Sequence, residues 1–315
     1  GERVRVRVNL VNVGAPRSRN RALEEAAAEY VVFLDDDVVP QPDLLHRYVE
    51  AVKAHPDAPG FVGLTLFPSP PSNFTQGVLL SDLTYMFGMA ATGNPCVGWG
   101  VTANLAVKLQ QPPVVFGEDF SRFFQFFCIF FGFWTGGGED VAYCLDTSER
   151  AGGEAFVAVP RAVVTHPWWG GGKRCYAHFF GWAKGDGLLL TTHPQHTYRA
   201  PPNVVESAVL VVPLVSLPVL AASLHAAAAP RALLAAATAA ALAVAAVLAA
   251  DVAFDVCHHL LWERDWRAPP LRGLRHLRAA VVAALCVQML ELGRLCGYLE
   301  RGHLGNISLR FDWFT

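Results

Sequence analysis

Apolar positions along this chain follow three different patterns. From Val4 to Leu10 they alternate with Arg5, Arg7 and Asn9, a period of two that predicts a half-exposed strand over residues 3–10. From Tyr30 to Leu34 they are continuous and stop at Asp35-Asp36-Asp37, which fits a strand buried on both faces of a parallel sheet. Pro40 and Pro42 close that run with a turn. Between the two, Gly14-Ala15-Pro16 reads as a turn, and Ser18 or Asn20 caps a helix running to Ala28. Beyond residue 203 the apolar residues gather into stretches of membrane length at about 204–229, 233–256 and 279–298. The third is interrupted by Glu291 and Arg294 and either spans or lies in the interface; spanning is the expectation.

Between these regions the chain alternates helix and strand. A helix is predicted over 42–54, a strand over 61–67, a tight turn entering a strand over 98–108, and a helix over 141–150 behind Gly136-Gly137-Gly138. Strands follow at 156–159 and from Val163 to His166. Residues 123–134 are crowded with aromatics but too short to cross a bilayer. They read as a buried aromatic wall, or as a surface that leans on the membrane or receives a greasy acceptor.

Composition sharpens this reading. Over 315 residues the hydrophobic fraction is 53%, and the excess lies after residue 203. A net charge of −2 gives nothing for a polyanion to bind, so no nucleic-acid partner is expected. Seven scattered cysteines form no Cys-x-x-Cys pair, which suits free thiols rather than a zinc or redox site. No signal peptide opens the chain, and a strand pattern begins within two residues of its start, which predicts a fragment.

The candidate chemistry concentrates at three places. Three adjacent carboxylates at a strand's end repel one another unless a cation neutralises them, and oxygen ligands of this kind suit Mg²⁺ or Mn²⁺. Arg17, Arg19 and Arg21 crowd a helix start, where an anion such as a diphosphate would relieve the conflict with the helix dipole. Glu139 and Asp140 sit at a helix N-terminus that keeps them ionised, and one such carboxylate can act as a general base on a hydroxyl. His166, ending a strand, can complete a metal shell.

Arg19-Asn20, Phe33-Leu34-Asp35-Asp36-Asp37 with Pro40 and Pro42, Gly138-Glu139-Asp140 and Val164-Thr165-His166 occur in this order. The set resembles the family 2 inverting glycosyltransferases of the GT-A fold, over roughly residues 5–190. The resemblance implies an α/β fold with a Rossmann-like mixed sheet flanked by helices, followed by C-terminal transmembrane helices. It implies a domain over 1–200 and a membrane domain over 201–315. It implies a divalent metal, Mg²⁺ or Mn²⁺, held by Asp35, Asp37 and His166, and a UDP- or GDP-sugar donor bound by Arg19, Asn20, Asp35 and Asp36. Asp140 matches the family's base, with Glu139 orienting the acceptor, and Trp99, Gly100 and Asn104 line the acceptor and donor sugar.

Two departures carry expectations of their own. The family's opening strand, turn and base-reading Asp are not found ahead of Arg5, so the front of the domain is expected to be missing. The Gln-x-x-Arg-Trp of processive synthases is not matched, which favours transfer of a single sugar. A lipid-linked acceptor is the hypothesis. Arginines at 264, 267, 272, 275 and 278 predict a cytosolic loop, and with it a cytosolic catalytic domain. The rival readings are a nucleotidyltransferase-like sugar-nucleotide enzyme and a non-catalytic membrane scaffold with a degenerate fold.

Overall fold

The structure, a computed structural model, describes residues 4–121, 137–223, 229–261 and 273–313. In chain order the elements are α1 (Gly14–Glu25), β1 (Tyr30–Leu34), β2 (Val39–Pro40), α2 (Leu44–Ala54), β3 (Gly60–Leu66), α3 (Asn73–Leu80), β4 (Cys96–Val97) and β5 (Asn104–Lys108). They continue with α4 (Glu139–Arg150), β6 (Phe156–Thr165), α5 (Ala177–Thr192), β7 (Thr197–Arg199), α6 (Val204–Ser223), α7 (Ala229–Leu261), α8 (Gly273–Leu299) and β8 (Leu309–Phe311). The chain divides into two units: residues 1–68, 85–167 and 313–315 form the first, residues 69–84 and 168–312 the second.

The first unit is built on a mixed six-stranded sheet, ordered β1-β5-β3-β6-β2, with β4 also on β6. Among the described strands, β3 and β6 make the one parallel pairing and the other neighbours are antiparallel. Period-two alternation gives the sheet two apolar faces. Tyr30, Val32, Phe61, Ala106 and Val164 pack with Leu44 and Tyr48 of α2 on one face. Phe33 points the other way and meets Phe116 and Tyr143 edge-on, at 5.4 and 6.2 Å between ring centres. Tyr143 belongs to α4, so helices cover both sides.

Four expectations change here. Residues 4–10 form no strand: Val4, Val6 and Val8 are each 76% exposed and Leu10 fully so. Alternation supplies two faces, but a strand also needs a partner for its N–H and C=O groups, and no described strand pairs with this segment. The Tyr30–Leu34 run is an edge strand antiparallel to β5, not the interior of a parallel sheet. Helix α1 begins at Gly14, whose φ of 81° only glycine adopts readily, and ends at Glu25. Ser18 lies inside it and donates to Gly14 O at 2.9 Å instead of capping. Finally, 156–165 is one strand with a bulge: Gly63 pairs Val159 and Leu64 pairs Val163, leaving Pro160 to Ala162 opposite no residue of β3. Proline has no N–H for the ladder, so a bulge is where it fits.

The second unit is mostly helical. Its α5 packs along α8. The crossing is tight because α8 offers Gly293 and Gly297: a Cβ there would lie 2.2 Å from Phe180 O and 2.3 Å from Lys184 O. Lys184–Glu300 at 2.8 Å and Asp186–Arg294 at 3.8 Å flank the crossing. Helix α5 itself was not expected. It contains Gly181, Gly185 and Gly187, which weaken local helix preference, so packing supplies what propensity lacks. Helices α6, α7 and α8 are each long and apolar enough to cross a membrane. Residues 123–134, the expected aromatic wall, lie outside the described residues.

Candidate functional site

The turn after β1 carries the acidic triplet back against β6. Pro40, expected with Pro42 to close the run in a turn, instead pairs together with Val39 against Val164 and Thr165 as the two-residue strand β2. This pairing sets Asp37 beside the end of β6, where His166 follows. His166 Nε2 lies 3.5 Å from Asp37 Oδ1 and 4.0 Å from Asp35 Oδ2. Ligand atoms of Asp35, Asp37 and His166 all fall within 4.8 Å of one another.

His166 is buried, at 4% exposure, and its ring is walled by Phe67 and Phe87. Its Nδ1 is 2.6 Å from Pro167 O. A carbonyl only accepts, so Nδ1 carries the hydrogen, and Nε2 is turned toward the two carboxylates. Two carboxylates and an imidazole form a donor set suited to a divalent cation, with Mn²⁺ tolerating the nitrogen better than Mg²⁺. Burial pushes the Asp35 carboxyl up, against the opposing pull of Arg19, while Asp140 adds to the rise. Asp36, between them, is exposed.

The second cluster lies at the start of α4. Gly138 holds φ 84° at the helix cap, and Glu139 and Asp140 occupy the first turn. Arg19 joins the two clusters. Its guanidinium reaches Glu139 at 3.1 Å, Asp140 at 3.3 Å and Asp35 at 3.9 Å. Burial works against its charge, but Asp140, Glu139 and Asp35 together hold its pKa above the ordinary value. The Asp35–Asp37 edge and the Glu139–Asp140 corner therefore lie within one guanidinium's span. The same three contacts leave Arg19 already engaged by carboxylates rather than open to a diphosphate.

Burial, and after it the charge of Asp140, pushes Glu139 up to about 7, with Arg19 opposing. Asp140 is held differently. Thr102 N–H donates to Oδ2 at 3.0 Å, and the Thr102 hydroxyl lies 3.1 Å from both carboxylate oxygens. Hydrogen bonds from Thr102 and Arg19 fix the carboxylate plane.

Other expected site residues have different placements. Asn20 pairs with the backbone of Phe116 through both of its side-chain groups, at 2.7 and 2.9 Å. That clamp seats the Phe116 ring under Arg19, 5.4 Å from its guanidinium carbon, and against Tyr143, 3.9 Å away and nearly parallel. Asn104 is 1% exposed and spent inside the sheet, donating to Ala162 O at 2.8 Å and accepting from Tyr48 OH at 2.8 Å. Trp99 is buried and donates to Trp313 O at 3.0 Å. Gly100 packs too closely for a side chain, since a Cβ would meet Val62 at 2.6 Å. Thr102 and Phe116 were missed by sequence reasoning. The 98–108 turn was legible, but a lone threonine within it carries no motif.

The mixed sheet with helices on both faces, followed by helices long and apolar enough to cross a membrane, is consistent with a GT-A-like α/β fold. The family model for glycosyl transferase family 2 matches residues 1–69 and supports a glycosyltransferase. That stretch contains Arg19 and the Asp35–Asp37 triplet but stops before Glu139, Asp140 and His166. No curated protein and no solved structure matches the chain.

Proposed function

We propose that this chain transfers a single sugar from a UDP- or GDP-sugar to an acceptor hydroxyl, with inversion at the anomeric carbon and with a divalent metal. The observation that supports it most is Arg19, one side chain in contact with both Asp35 and the Glu139–Asp140 pair. The acceptor hydroxyl must come within bond-forming distance of the anomeric carbon while the diphosphate leaves from the opposite face, and two such clusters so close suit that need.

Asp35, Asp37 and His166 would hold Mn²⁺ or Mg²⁺. When bound, such an ion neutralises charge developing on the leaving diphosphate. Asp140, oriented by Thr102, takes the proton of the acceptor hydroxyl as its oxygen attacks the anomeric carbon. Glu139, with its pKa near neutrality, carries a proton for much of the time and donates it in a hydrogen bond that orients the acceptor. Arg19 keeps the carboxylates from repelling one another and shifts toward the diphosphate when the donor arrives.

The domain assignment carried into this reading is catalysis in residues 1–200 and membrane attachment in 201–315. The catalytic part faces the cytosol, where nucleotide sugars are supplied. The acceptor is a lipid-linked hydroxyl, a reading motivated by the apolar helices. The test is nucleoside diphosphate release from a panel of UDP- and GDP-sugars by the membrane-embedded protein, with and without chelator. Metal-dependent release that requires an acceptor is expected, and Asp140→Asn should lower turnover by roughly 100-fold or more while sparing donor binding. Release of inorganic diphosphate would indicate nucleotidyl transfer instead. Near-normal turnover in Asp140→Asn would overturn the base assignment.

A further inference from the structure

The count of membrane crossings follows from a two-stranded ribbon far apart in sequence. Strands β7 and β8 pair antiparallel, Thr197 with Phe311, Tyr198 with Arg310 and Arg199 with Leu309. Further bonds tie the same two segments. Asp312 N–H donates to His196 O at 2.8 Å, and Arg310 pairs with Glu206 at 2.8 Å. Glu206 also accepts from the Tyr298 hydroxyl at the end of α8. A ribbon with open edges and charged side chains cannot sit in hydrocarbon, where its unpaired backbone groups would find no partner. Both strands therefore lie on one side of the bilayer. The chain that leaves at Arg199 and returns at Leu309 crosses an even number of times. Among the described residues, three helices between them are long and apolar enough to span, and three is odd.

Burial decides which helix does not cross. In the apolar windows of α6 and α7 only 17% and 11% of residues are buried, against 44% in α8. The large apolar side chains left exposed are on α6 and α7, among them Leu214, Leu217, Leu234 and Leu242; on α8 they occur only near its ends, at Leu274, Leu277 and Leu299. The body of α8 is covered. Ala279, Ala280 and Ala283 pack against Leu80 of α3, and Gly293 and Gly297 lie under α5 with its ion pairs. Lipid cannot surround a helix so enclosed.

Lengths agree. Helix α6 has 20 residues, about 30 Å at ~1.5 Å each, which matches the hydrocarbon core. Helix α7 has 33 residues, about 50 Å, and so projects beyond it. Its last stretch carries Asp251, Asp255, His258 and His259, and Val256 packs on the α3–α8 cluster.

We infer that α6 and α7 form a two-crossing hairpin whose outer faces meet the lipid chains. Helix α8 is a core helix outside the bilayer, on the side to which α7 returns the chain, and it leads the C-terminal segment back to β7. This goes beyond the transferase reading and needs no activity to test. Epitope tags are placed before Gly1, between residues 223 and 229, and after Thr315 of the full chain, and protease accessibility is read in sealed vesicles. The two terminal tags should behave alike and the internal tag oppositely. A C-terminal tag that sides with the internal one means three crossings; three tags alike mean none. Either result overturns the inference. In the untagged protein, Cys257 and Cys96, both exposed, should react with a membrane-impermeant maleimide from the same face. A Cys257 that is unreactive, or reactive only from the opposite face, also overturns it.

Discussion

Thr102 gives two donors to one carboxylate, and the proposed role of Asp140 depends on them. Thr102→Val removes only the hydroxyl and keeps the shape. It should lower kcat roughly tenfold, as expected for losing a hydrogen bond to a charged group. Thr102→Ser should restore the rate, and in an Asp140→Asn background the valine should cost nothing further. Parallel kinetics on the four variants check this. Glu139 makes a prediction of a different sign from an ordinary salt-bridged carboxylate. Its folded pKa of about 7 lies above its ordinary 4.5, so the folded state binds the proton more tightly than the unfolded one. Its contribution to stability is complete below the unfolded value and is lost as pH rises through about 7. Glu139→Gln should therefore show a smaller fall in Tm between about pH 5 and about pH 8 than the parent, measured by thermal scans in detergent. At this scale the acid triplet, Glu139, Asp140 and His166 were all legible as charged or ligating residues at element ends. Thr102 and Phe116 were not, because their importance comes from what they touch. Asn20 shows the converse: it stood in the right motif, yet its side chain is engaged with the backbone of Phe116.

Elements whose cause is local were read well. The helix after Gly138 begins where the glycine permits a φ of 84°, and α2 and β3 begin and end within two residues of the expected limits. Elements whose cause is a neighbour were not. Helix α5 exists because α8 receives it closely, and the strand predicted over 3–10 is missing because nothing described pairs with it. The α5–α8 crossing gives an element-scale prediction. Gly293→Leu forces a side chain into the Phe180 backbone, which cannot retreat like a flexible side chain, and should destabilise by about 2–3 kcal/mol. Gly305→Ala, with open space around its Cβ position, should leave Tm unchanged. Thermal denaturation of both variants beside the parent separates crowding from a general loss of glycine.

For the whole molecule, the apolar faces of α6 and α7 predict that the protein stays with membranes through alkaline carbonate washing and is released only by detergent. Recovery in the carbonate supernatant would contradict this. Residue order by itself determined the membrane-length segments, the acidic strand end and the carboxylates at a helix start, because each depends on side chains close together in the chain. It left open which of these meet and how many apolar helices cross. Only the tertiary structure decided those points: Arg19 touches three carboxylates from two distant segments, β2 on β6 brings Asp37 to His166, and β7 on β8 returns the end of the chain to where α6 began. Backbone pairing between remote strands depends on geometry and solvation shared across the folded unit, and no local pattern of polar and apolar residues encodes it.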